Sequence, residues 1–105
     1  MPERDSAGPM AGKTVLITGA ARGIGAHTAR LLHARGATIA VTDIDLDAAN
    51  ELTDQLGTRA VAHRVDICDQ AGLDTIVERV REQFGGIDVV VANAGIAPPS
   101  HTVLT

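Results

Sequence analysis

The sequence predicts an α/β protein: a doubly wound parallel sheet of about four strands in the order 3-2-1-4, with three helices. Three observations predict it. Short apolar runs rich in β-branched residues alternate strictly with segments of helical periodicity, giving β-α-β-α-β-α-β along the chain. A glycine-rich turn joins the first run to the first helical segment. Polar or glycine residues close the successive runs, and a doubly wound sheet gathers its strand ends on one rim.

The elements follow in order. Residues 14–17 (TVLI) are continuously apolar and read as a strand buried on both faces. Residues 18–25 form the glycine-rich turn. Ile24, Thr28, Leu31 and Leu32 then recur at helical spacing, and Gly36 suits the stop. Residues 37–42 are the second strand. Leu46, Ala49, Leu52 and Leu56 mark the second helix, with Asp45 or Asp47 near its start and Gly57 after its end. Residues 60–65 are the third strand, and His63 and Arg64 give it the character of an edge. Asp69 suits the cap of a third helix striped by Leu73, Ile76, Val77, Val80 and Phe84 and closed by Gly85-Gly86. Residues 89–92 (VVVA) are the fourth strand, which suits the interior of a larger sheet. The expected organisation is a flexible tail over 1–12, an α/β half-domain over 13–97, and a loop at a truncated C-terminus over 98–105.

Composition narrows the function. The 105 residues are 45% hydrophobic and 21% charged, enough for one small domain with a core. Nine Lys+Arg against thirteen Asp+Glu give a net charge of −4, so no basic footprint for nucleic acid or an anionic membrane is present. One cysteine excludes an internal disulfide. Residues 1–12 lack the apolar core of a signal peptide, and no run approaches the ~20 residues of a membrane span, so the expected location is cytoplasmic.

The turn Thr18-Gly19-Ala20-Ala21-Arg22-Gly23-Ile24-Gly25 follows the logic of dinucleotide binding. Gly19 permits a tight turn, Gly23 lets a diphosphate approach the backbone, and Gly25 lets the helix pack close to the sheet. The helix N-terminus supplies N–H groups and positive partial charge. Asp43 closes the second strand 18 residues after Gly25, near the spacing of an acidic residue that accepts from ribose hydroxyls. Asp66 closes the third strand and Asn93-Ala94-Gly95 the fourth.

The turn and Ala92-Asn93-Ala94-Gly95, roughly 70 residues apart, resemble the two motifs of the classical short-chain dehydrogenase/reductases, with a Rossmann-like fold. The resemblance covers residues 12–97; Ala92 stands where the family usually has a first Asn. It implies that Asp43 holds the adenosine ribose and favours NAD over NADP. It also implies that Asp66-Ile67 meets the adenine and that Asn93, Ala94 and Gly95 border the cofactor. Arg22 opposes that preference, because a basic residue there meets a 2′-phosphate in NADP-using relatives; Asp43 beside that phosphate would repel it.

Family catalysis uses a Ser, a Tyr-x-x-x-Lys pair and a further Asn. The chain contains no Tyr, its one Lys (Lys13) precedes the first strand, and Asn50 and Asn93 precede the catalytic helix. No catalytic and no metal-binding residue is therefore expected. The resemblance implies the cofactor half of an oxidoreductase acting on an alcohol or ketone. A full-length form is expected to supply the substrate site and to be a homo-oligomer. The alternative is a non-catalytic dinucleotide-binding module that pairs with another chain. Other signals are weaker. Residues 8–14 imitate a P-loop but have three residues between the glycines and lead into a strand. His27, His33, His63 and His101 are scattered, and Cys68 reads as a buried small residue.

Overall fold

The computed structural model describes residues 8–93. Seven elements alternate: β1 (Thr14–Thr18), α1 (Gly23–Ala34), β2 (Thr38–Asp43), α2 (Leu46–Leu56), β3 (Ala60–Arg64), α3 (Gln70–Phe84) and β4 (Val89–Ala92). All strand pairs are parallel, and the order is β3-β2-β1-β4, as the alternating pattern predicts.

The period of two along a strand sends successive side chains to opposite faces. On β1 this divides Val15 and Ile17 from Leu16. Val15, Ile17, Ile39 and Val41 form one core with Ala26 and Ala29 of α1 and Ala49 and Leu52 of α2. Leu16 and Ala40 form the other with Val80, and Ile76, Val77 and Phe84 of α3 pack against it. β1 is therefore buried along its whole length, as its uninterrupted apolar run requires.

Asp45 accepts from the Ala48 N–H at 3.1 Å and caps α2, which decides between the two aspartates. Asp69 accepts from the Gly72 N–H at 3.1 Å and caps α3. Gly85 closes α3 in the left-handed conformation, with φ of 83°.

The structure departs from the sequence reading in several places, including strand ends: the first strand runs on to Thr18 and the third stops at Arg64, one residue short of the expected 65. Ile24, expected on the buried stripe of α1, is 77% exposed, and Leu31 is also exposed. The buried face of α1 is Gly25, Ala26 and Ala29, because the helix sits too close to the sheet for larger side chains. The second strand is shifted by one residue, to 38–43, although Ala37 is still fully buried. Val89 and Val90 of β4 are exposed, as the order 3-2-1-4 implies for a strand at the open side of the described sheet. Residues 8–12 lie within the expected flexible tail, but the Met10 N–H donates to the Arg35 carbonyl at 2.8 Å and the Met10 side chain packs on the core. Cys68 is exposed, because it lies in the loop leading out of β3 and not on a packed face.

Candidate functional site

The strand register brings the C-terminal ends of the sheet together: Thr18 lies opposite both Thr42 and Ala92, and Asp43 opposite Arg64. Gly19, Asp43 and Asn93 consequently share one rim, and hydrogen bonds join them.

The glycine turn is held from both sides. On one side the Ala21 N–H donates to Asp43 Oδ2 at 3.0 Å, while the Asp45 N–H donates to Asp43 Oδ1 at 3.0 Å. On the other, Asn93 Nδ2 donates to the Gly19 carbonyl at 3.1 Å, and the Asn93 N–H donates to Thr18 Oγ1 at 3.0 Å. Beneath the turn, the Ala20 N–H donates to the Thr42 carbonyl at 3.0 Å, and Thr42 Oγ1 donates to the Ile17 carbonyl at 2.8 Å. Each carboxylate oxygen of Asp43 thus accepts one backbone N–H and keeps acceptor capacity on a half-buried, accessible side chain.

The glycines differ in what they provide. A Cβ at Gly25 would stand under 3.0 Å from the Gly19 carbonyl oxygen, Asn93 Nδ2 and Ala20 Cα, so the close approach of α1 to the turn demands glycine. Gly23 has φ of +64° and nothing within 4 Å of the Cβ position, so it opens onto free space at the helix start. No side chain caps α1, and its first turn carries no acidic residue. The N–H groups that begin a helix have no partner within it, so they present positive partial charge to that space. An anionic phosphate fits this arrangement.

Arg22 is the N-cap residue of α1, and its Nη2 pairs with Asp45 Oδ2 at 2.7 Å. The exposed Ile24 side chain stands one residue past Gly23. Asp66 Oδ1 accepts from the Cys68 N–H at 2.9 Å, which folds the chain after β3 back at the rim next to Asp43; the Val65 N–H donates to the Asp43 carbonyl at 3.0 Å. Ile67 is half-buried in that loop. Ala94 and Gly95 lie outside the described residues. The sequence reading passed over Thr18 and Asp45 as site residues. Thr18 was read as the first residue of the turn, but its bond to Asn93 was not legible, because the two meet only once β4 is placed beside β1. Asp45 carried a signal, in the three alternate aspartates at 43, 45 and 47.

A Rossmann-type sheet with a glycine-rich phosphate turn and an acidic second-strand end defines a dinucleotide-binding class. Residues 13–104 match the family model for short chain dehydrogenase, and the chain belongs to that family. It is 45% identical over 84 residues to galactitol 2-dehydrogenase of Agrobacterium fabrum strain C58, a match covering 80% of this chain and 33% of that protein. It is 39% identical over 85 residues to the 3-oxoacyl-acyl-carrier-protein reductase of Escherichia coli K12, covering 81% of this chain and 35% of the relative. Among solved structures it resembles 3-ketoacyl-(acyl-carrier-protein) reductase from Brucella melitensis complexed with NADH. That likeness has a TM-score of 0.76 and 31% identity, over 86% of this chain and 41% of that one. A hydroxysteroid dehydrogenase from Escherichia coli gives a TM-score of 0.78 and 39% identity, over 82% of this chain and 38% of that one. The chain spans about a third of the length of the curated relatives it matches.

Proposed function

We propose that this chain forms the dinucleotide-binding part of an NAD(P)-dependent oxidoreductase and takes NAD in preference to NADP. One observation carries the reading. The Ala21 N–H bond to Asp43 fixes a ribose-hydroxyl acceptor directly against the open, uncapped phosphate turn. Gly19, Arg22, Gly23, Ile24 and Gly25 would border the diphosphate, Asp43 the adenosine ribose, and Asp66 and Ile67 the adenine. Asn93, with Ala94 and Gly95, would border the nicotinamide half. A nicotinamide, when bound, exchanges a hydride with the carbon of an alcohol or ketone, while the hydroxyl proton passes to or from a general base.

The 105 residues contain no Tyr, and Lys13 precedes β1 on the rim opposite Gly23. The protein side of hydride transfer is thus assigned to a longer form of the protein. The exposed β4 favours one further arrangement, a non-catalytic module completed by another chain.

Calorimetric titration of the chain with NAD and NADP tests the reading. NAD should bind more tightly, and Asp43→Ala should narrow or reverse the preference, because the ribose acceptor and the charge opposing a 2′-phosphate are lost together. Tighter binding of NADP by the unmodified chain would overturn the preference. The same chain should show no NAD-linked turnover on a panel of alcohols and ketones, since loss of a general acid/base alone costs about 100- to 10,000-fold.

A further inference from the structure

We propose that Asp45 is a specificity-determining residue that works by withholding Arg22 from a 2′-phosphate. The proposal rests on the dinucleotide reading above and concerns which dinucleotide the site rejects.

Two positive features lie beside Asp43, where the ribose 2′ position would fall. One is the Arg22 guanidinium; the other is the N-terminus of α2. Either would attract a 2′-phosphate. Asp45 engages both. Its Oδ2 pairs with Arg22 Nη2 at 2.7 Å, and its Oδ1 accepts from the Ala48 N–H at 3.1 Å. Its own N–H donates to Asp43 Oδ1 at 3.0 Å. The carboxylate is therefore held at two points and its backbone at a third, between the residue that would read the ribose and the cation that would read a phosphate on it.

Arg22 is anchored at its backbone as the N-cap residue of α1, next to Ala21 and its bond to Asp43. Its side chain alone decides whether it points to Asp45 or to a ligand. The pair is solvent-accessible, with side-chain exposures of 72% and 44%, so it is weak and exchangeable. Discrimination through it is accordingly graded and sensitive to salt.

The test is titration with NAD and NADP of the unmodified chain, Asp45→Asn, Arg22→Ala and the double variant, at low and high salt. Asn is as good an N-cap as Asp, so Asp45→Asn keeps α2 capped while removing the charge. Asp45→Ser, also a capping residue, serves as the second variant, and a thermal melt reports that each is folded. NADP affinity should rise about three- to ten-fold in Asp45→Asn, with NAD unchanged within about two-fold. The gain should shrink by more than half in the Arg22→Ala background and at high salt, since it acts through the released guanidinium. An unchanged NADP affinity in both Asp45 variants overturns the proposal while leaving NAD binding intact. A gain equally large without Arg22 also overturns it, assigning Asp45 to simple repulsion. If the unmodified chain binds neither dinucleotide, the dinucleotide reading itself fails.

Discussion

Gly23 and Gly25 are two residues apart in one turn, yet they are glycine for different physical reasons. At Gly25 the obstacle is contact. An added methyl meets the Gly19 carbonyl and Ala20 Cα, and backbone cannot swing aside as a long side chain can. At Gly23 space is free and only the backbone conformation, with φ of +64°, opposes a side chain. Left-handed backbone costs an ordinary residue about 1–2 kcal/mol, whereas forcing an atom into a packed contact costs about 1–3 kcal/mol and displaces the neighbours. Gly25→Ala should therefore destabilise the chain more than Gly23→Ala in chemical denaturation. It should also loosen the Asn93 bond to the Gly19 carbonyl. A larger loss at Gly23 would show that the contact at Gly25 relaxes easily. On the proposed reading, Gly23→Ala should in turn weaken dinucleotide binding beyond its effect on stability, because the new methyl would enter the open space assigned to the diphosphate.

At the scale of the element, legibility followed the number of faces an element buries. β1 is buried throughout and its centre, Val15-Leu16-Ile17, is wholly apolar because both faces are covered, so its sequence alone identified it. The cap of α3 was legible, and that of α2 down to Asp45 or Asp47, because Asp in front of an apolar-periodic segment has a local reason to be there. α1 was misread along its stripe: small residues bury where the helix is closest, and Ile24 and Leu31 face outward. The rim opposite the glycine turn was not legible either. The Thr14 N–H donates to Asp88 Oδ2 at 2.8 Å, and Arg59 Nη1 donates to the Ala37 carbonyl at 2.7 Å. Both bonds depend on which strands become neighbours. Asp43 was found by its position at a strand end, but its grip on the Ala21 N–H depends on how the turn folds back across β2.

His63 shows the same dependence. On β3 it reads as an edge residue, yet its Nε2 is buried with no hydrogen-bond partner among the described residues. Burial holds its pKa below the usual 6.5, and the Arg79 guanidinium pushes it the same way. The unfolded chain then binds a proton more readily than the folded one. Stability contributed at this residue is complete above about pH 6.5 and is lost as pH falls toward the lowered folded value. Denaturation midpoints measured between pH 8 and 5 should fall on acidification, and His63→Gln should fall less steeply. Parallel pH profiles for the two proteins would remove His63 as the cause.

For the whole molecule, the two edges of the sheet contrast. β3 ends in His63 and Arg64, and a charged, partly polar edge resists pairing with another strand. β4 carries three valines and no charge; Val90 is 59% exposed and Val89 is exposed beside it. Val90 also lines an open cavity of ≈ 390 Å³ with Val77, Arg81, Gly86 and Ile87, so the exposed strand adjoins a mixed apolar and charged groove against α3 and the loop after it. A parallel sheet is normally covered on both faces, and the α3 side of β4, where Val90 lies level with Leu16, has only part of that cover among the described residues. The matched segments are only 33% and 35% of the two curated relatives, which leaves ample chain in such proteins to extend a sheet past this strand. The 105 residues on their own should therefore associate through β4. Sedimentation velocity over a range of concentrations should show mass rising with concentration. Val90→Lys, which places a charge on the exposed strand without touching the core of β1 and β2, should shift the distribution toward monomer. Arg64→Ser on the opposite edge should leave that association in place, because the surface that drives it lies on the other side of the sheet. A chain that stays monomeric at every concentration would show that the valines of β4 are tolerated in water. An Arg64→Ser variant that associates more strongly would instead assign control of association to the β3 edge.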